Sequence, residues 1–92
     1  MKAPKLHSKT VLVTGCSSGI GEGIANYLRR VGWNVFPTAR SESDLQKLRS
    51  NGFDALHLDL IDPTSINKCV SSLMLRSPSG IGAIINNNFG YF

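Results

Sequence analysis

Gly15, Gly19 and Gly21 stand in the stretch Thr14-Gly15-Cys16-Ser17-Ser18-Gly19-Ile20-Gly21, directly after the apolar run Val11-Leu12-Val13 and at the opening of a segment with helical spacing. A glycine-rich turn between a strand and a helix suits one kind of chemistry: it presents backbone N–H groups and a helix N-terminus to an anion, here of pyrophosphate type. At Gly15 the chain has to turn sharply. At Gly19 the missing Cβ lets a phosphate reach the backbone, and at Gly21 it lets the new helix pack closely on the strand. Ser17, Ser18 and Ile20 complete the cradle. The competing reading of the same residues is a turn of this type that holds no ligand.

The other chemically capable residues form no constellation. Cys16 and Cys69 lack metal-site spacing and are too few for a disulfide scaffold, so both read as small reduced residues and no metal site is expected. His7 reads as a tail residue and His57 as a strand residue. Tyr27 reads as a helix-face packing residue. The formal charge of +4 comes from Lys2, Lys5 and Lys9 in the leading arm and from cations spread over the helices. It includes no basic run interleaved with aromatics, so no nucleic-acid partner is expected. With 41% hydrophobic and 17% charged residues the composition is that of an ordered α/β protein. No segment reaches the ~18 apolar residues of a membrane span, and the polar start has no signal-peptide core. No membrane partner is expected, and a cytoplasmic location follows by default.

The elements that must position the glycine turn alternate in type. Strand-length apolar runs alternate with helical periodicity, the pattern of consecutive βαβ units. A first strand is expected over Thr10 to Thr14. The helix after the glycines places Ile20, Ile24, Leu28 and Val31 on one face, with Arg29 and Arg30 toward water near its C-terminal end. Gly23 weakens that helix by about 1 kcal/mol relative to alanine. The second strand is Asn34 to Ala39, in which Pro37 forces either a bulge or an unpaired side. Ser43 and Gln46 have capping-box spacing for the next helix, with Leu45 and Leu48 inward and Gly52 as its stop. A third strand is expected over Ala55 to Asp59. Asp62-Pro63 is an N-cap and first-turn pair for a helix carrying Ile66, Val70 and Leu73, and the last strand is Ala83 to Asn86.

Right-handed crossovers give these four strands the order 3-2-1-4, the first half of a Rossmann-type doubly wound parallel sheet. Ligands of such sheets bind at the carboxyl ends of strands 1 and 4. The dinucleotide can be narrowed from the end of the second strand. An Asp or Glu about 20 residues past the glycines receives the ribose hydroxyls of NAD, whereas a nearby Arg receives the additional phosphate of NADP. Here the strand ends Thr38-Ala39-Arg40, with no carboxylate before Glu42. The guanidinium of Arg40 favours NADP over NAD.

With Thr14 before the first glycine, the spacing G-x-x-x-G-x-G resembles the short-chain dehydrogenase/reductase family. The resemblance runs from about Lys9 to Gly90. It implies that Asp59-Leu60 lies beside the adenine ring, with Asp59 accepting from the exocyclic amine, and that Ile84-Ile85-Asn86-Asn87-Asn88-Phe89-Gly90 is similar to the family's apolar-Asn-Asn-Ala-Gly segment. There the chain departs from the pattern. With Asn86 and Asn87 as the paired asparagines, Asn88 stands for the alanine and Phe89 for the glycine; a shift by one residue restores Gly90 but puts Asn86 into an apolar strand position. Family members interconvert an alcohol and a carbonyl with a Tyr-x-x-x-Lys pair, and the resemblance is strongest to members acting on apolar alcohols, ketones or steroid-like compounds. No Tyr-x-x-x-Lys occurs here: Tyr27 is followed by Val31 at that distance, and Tyr91 is the penultimate residue. No residue of this chain is therefore expected to be catalytic.

A member of the family needs about 250 residues for its sheet and active site. The expectation is thus a polar arm over residues 1–9 and a partial NAD(P)-binding domain over residues 10–92, cut before the catalytic region. The resemblance implies homo-oligomers for full-length members. Three readings follow: the NADP-binding front of an oxidoreductase, a non-catalytic nucleotide-binding module, or a vestigial chain that folds poorly or only pairs with another chain, as the open edge of strand 4 would allow.

Overall fold

Side-chain alternation along the strands decides the layering. In the computed structural model, which describes residues 8–87, β1 (Thr10–Val13), β2 (Asn34–Ala39), β3 (Leu56–His57) and β4 (Ala83–Ile85) form one parallel sheet in the order β3-β2-β1-β4. Three helices cross over between them: α1 (Gly19–Arg30), α2 (Glu42–Ser50) and α3 (Pro63–Arg76). Val11, Val13, Val35 and Ala39 form one buried cluster with Ala25 of α1 and with Leu45 and Leu48 of α2. On the other face Leu12, Phe36 and Leu56 pack with Cys69 and Leu73 of α3. This is a doubly wound half-sheet, as the alternating pattern predicts. Expectations for Lys2, Lys5 and His7, and for Asn88, Phe89, Gly90 and Tyr91, lie outside the described residues.

The register places Val13 opposite both Pro37 and Ile85, so the carboxyl ends of the three strands lie side by side. Pro37 causes no bulge. The Thr38 carbonyl accepts from Cys16 on the β1 side, and the Ala39 carbonyl accepts from Leu58 on the β3 side. Alternation therefore turns Pro37 toward β3, where it has no N–H to give. The β2–β3 ladder begins only at Thr38 opposite Leu56, and β3 is two residues long rather than the expected Ala55 to Asp59.

Two helix expectations need correction. The inward face of α1 is not Ile20-Ile24-Leu28-Val31: Ile20 and Val31 are exposed, while Gly21 and Ala25 are buried and Ile24 and Leu28 pack at their side. Small residues bring the helix axis close to the sheet, and a search for large apolar side chains misses them. Arg29 does more than face water, because it stacks 3.9 Å from the centre of the Phe53 ring and donates to the Asn51 carbonyl at 2.9 Å. The cap of α2 is Ser41, not Ser43. Its hydroxyl accepts from the Asp44 N–H at 3.2 Å and donates to the Asp44 carboxylate at 2.7 Å. The chain leaves the sheet at Arg40, so Ser41 is the first hydroxyl in position to cap. For α3 the expected cap holds, with Asp62 accepting from Thr64 and Pro63 in the first turn. Among the described residues no helix is long and apolar enough to cross a membrane, and no group of His, Cys, Asp and Glu is arranged to hold a metal ion.

Candidate dinucleotide site

The three glycines differ in what the protein itself asks of them. Gly15 has φ 68, a left-handed conformation that disfavours a side chain. Gly21 is a packing glycine: a Cβ there would lie 2.5 Å from the Gly15 carbonyl oxygen and 2.7 Å from Asn87 Nδ2. Gly19 is different, since a Cβ built on it meets nothing within 4 Å. No contact inside the protein accounts for a glycine at the first residue of α1. Open space in front of a helix N-terminus is what an approaching phosphate requires, so the residues present fit a dinucleotide.

Ser18 caps α1, its hydroxyl accepting from the Gly21 N–H at 3.4 Å. The N–H groups of Gly19 and Ile20, the first two of the helix, have no acceptor within it and carry the positive end of the helix dipole. Ser17 is exposed beside them. The role of Ser18 as the cap went unrecognised in the sequence, although a serine directly before the first helical residue signals one.

The turn is braced by Thr14, which follows β1, together with Asn86 and Asn87 just past β4. The Thr14 hydroxyl donates to Asn86 Oδ1 at 2.8 Å and accepts from the Asn87 N–H at 3.0 Å. Asn87, 6% exposed, donates through Nδ2 to the Gly15 carbonyl at 3.3 Å and to Ser18 Oγ at 3.4 Å. Asn86 and Asn87 thus meet the glycine turn from the neighbouring strand.

The remaining predicted residues line the same end of the sheet. The Cys16 N–H donates to the Thr38 carbonyl at 2.9 Å, which ties the glycine turn to β2 two residues before Arg40. Arg40 is exposed and directly precedes the Ser41 cap of α2. Asp59 follows β3, and its carboxylate is partly engaged, with Oδ1 accepting from the Ile61 N–H at 3.0 Å. Leu60 is exposed after β3. With Leu12, Leu58, Ile66, Val70 and Ile84 it lines an apolar groove of about 240 Å³ that has Thr14 and Asn86 at its rim.

Cys16 is inert packing inside the turn. Burial pushes its thiol up to about 11, opposed by a hydrogen bond with the Thr38 backbone and reinforced by nearby Glu22. The Sγ contacts the Val13 carbonyl at 3.3 Å. Burial likewise raises Cys69. Tyr27 is exposed and His57 pairs with Ser65 at 3.2 Å through Nδ1; the packing role expected for Tyr27 therefore does not hold.

Residues 9–89 match the sequence model of the short chain dehydrogenases. The chain belongs to the short-chain dehydrogenase family. An uncharacterised oxidoreductase, YbbO, from Escherichia coli K12 is 35% identical over 89 residues, which are 96% of this chain and 33% of the relative. An NADPH-dependent 1-acyldihydroxyacetone phosphate reductase of Schizosaccharomyces pombe is 32% identical, covering 86% of this chain and 27% of that protein. A variant of actinorhodin polyketide ketoreductase, crystallised with NADPH, superposes with a TM-score of 0.74 at 32% identity, over 92% of this chain and 34% of that one. The chain thus spans between about a quarter and a third of the length of these proteins.

Proposed function

We propose that this chain binds NADP(H) in preference to NAD(H), as the cofactor-holding part of an oxidoreductase that acts on an alcohol/carbonyl pair. The observation that carries the reading is the pairing of an open helix N-terminus at Gly19 with Arg40 at the end of the adjacent strand β2. Family membership and an NADPH-bound neighbour support it. The N–H groups of Gly19 and Ile20 would hold the pyrophosphate, Arg40 the additional phosphate, and Asp59 the adenine amine through its second carboxylate oxygen. When bound, the nicotinamide supplies or accepts a hydride. The contribution of the residues described here is to bind and orient: Gly15, Gly21 and Asn87 fix the turn, and Ser18 fixes the start of the helix.

Titration of NADPH and NADH against the wild type and Arg40→Ala tests the reading. NADPH is expected to bind more tightly, and the variant to lose about 1.5 to 3 kcal/mol of NADPH affinity with little change for NADH. Equal affinities for the two cofactors in the wild type would overturn the preference. Gly19→Val tests the cradle itself, since a branched side chain in the open space should abolish binding of both cofactors with the far-UV spectrum preserved.

A further inference from the structure

A second concave site lies across the free edge of the sheet, away from the glycine turn. Arg49 from the last turn of α2, His57 from β3, and Lys68, Ser72 and Arg76 from α3 surround a pocket of about 240 Å³. The polar side chains lining it are cationic or donor-bearing, and no carboxylate lines it. Its lining includes Leu56 and Cys69, both buried.

Basic residues in a last helical turn ordinarily complement the helix dipole, and Arg49 and Arg76 have that position. The dipole does not account for Lys68 or His57, which lie away from helix C-termini and line the same space. Arg49 is held by the Ala55 carbonyl at 3.2 Å and sits 3.6 Å from Glu42. Arg76 sits 2.8 Å from Asp54. Both carboxylate partners stand outside the pocket lining, and both pairs are solvent-exposed, a class of ion pair that contributes little and exchanges readily. Among the described residues Lys68 makes no ion pair. Two forked guanidinium groups, an ammonium, an imidazole and a hydroxyl around one small volume are a donor set for an oxyanion.

We infer that this pocket between α2, β3 and α3 is an oxyanion site, suited to a phosphate-type dianion and separate from the dinucleotide cradle. None of the residues lining this pocket belongs to the glycine turn or to the asparagines that brace it, so both sites can be occupied together. The dianion is either free phosphate or the phosphoryl group of a small monoester.

The test is an amide-resolved NMR titration of the full chain at low ionic strength with inorganic phosphate and, separately, with phenyl phosphate. Saturable shifts are expected at His57, Lys68 and Ser72, independent of any at Gly15 to Gly21. Lys68→Gln, which alters an exposed side chain, should weaken binding several-fold, and Lys68→Gln with Arg76→Gln should weaken it about tenfold or more. Arg30→Gln, elsewhere on the surface, should change nothing. Tighter binding of phenyl phosphate assigns the site to an organic monoester, and equal binding assigns it to phosphate itself. Shifts confined to Gly15 to Gly21, absence of saturation, or an unchanged affinity in Lys68→Gln would overturn the inference.

Discussion

The side-chain amide of Asn87 donates to the carbonyl oxygen of Gly15 at 3.3 Å, across 72 residues of sequence. The same amide reaches the Ser18 cap at 3.4 Å, so a residue just past β4 holds both the turn and the start of α1. Asn87→Asp keeps the size and removes the donor. It is expected to destabilise the chain by roughly 1 kcal/mol, the cost of leaving part-buried acceptors unpaired, and to weaken NADPH binding by placing an anion beside the cradle. Chemical denaturation and a cofactor titration on the same protein check both effects. Unchanged stability would mean that this amide does not brace the turn.

Gly21 and Gly23 are two residues apart on α1 and should respond oppositely to alanine. A Cβ at Gly21 would meet the Gly15 oxygen at 2.5 Å, whereas one at Gly23 meets nothing within 4 Å. Gly21→Ala should destabilise by about 1 to 3 kcal/mol through overpacking against backbone. Gly23→Ala should stabilise by roughly 0.5 to 1 kcal/mol, because it removes the helix cost of glycine without a clash. Thermal unfolding distinguishes them: for a domain of this size 1 kcal/mol corresponds to about 4 to 8 °C.

Stability should fall at alkaline pH because of Cys16. Its folded-state pKa is raised from 9.0 to about 11, so the folded chain keeps a proton that the unfolded chain loses. The contribution is fully present below pH 9 and is lost as pH rises through about 11, by up to roughly 2 to 3 kcal/mol. Cys69 shifts in the same direction, also by burial. Comparing the pH dependence of unfolding in the wild type and Cys16→Ala isolates the effect from lysines and tyrosines that titrate nearby. Parallel curves between pH 8 and 11 would contradict it.

Cofactor binding and turnover should separate in this chain. Hydride transfer to a carbonyl needs a proton donor within about 3 Å of the developing alkoxide, and no Tyr-x-x-x-Lys occurs in the 92 residues. Purified chain with NADPH and a panel of ketones and aldehydes is expected to bind the cofactor without oxidising it. Light scattering on the same sample is expected to report self-association, since Ile84 on the outer strand β4 is 63% exposed. Turnover by a stable monomer would refute both expectations.

What the sequence determined by itself is local or periodic. The glycine spacing located the strand-to-helix turn, Asp62-Pro63 the start of α3, and Asn34 to Ala39 the bounds of β2. The succession of βαβ units was enough for the strand order, because right-handed crossovers leave few alternatives. Tertiary structure decided which glycine answers to packing and which faces open space, since that depends on atoms brought from Asn87 and the Gly15 backbone. It also moved the buried face of α1 onto Gly21 and Ala25, because close approach of the helix to the sheet favours small residues over the large ones that periodicity marks. The start of β3 at Leu56 rather than Ala55 followed from which way Pro37 faces, and the alignment of β2 between two neighbours set that direction. Contacts across such distances depend on how the strands are laid side by side, and no local pattern in the chain encodes them.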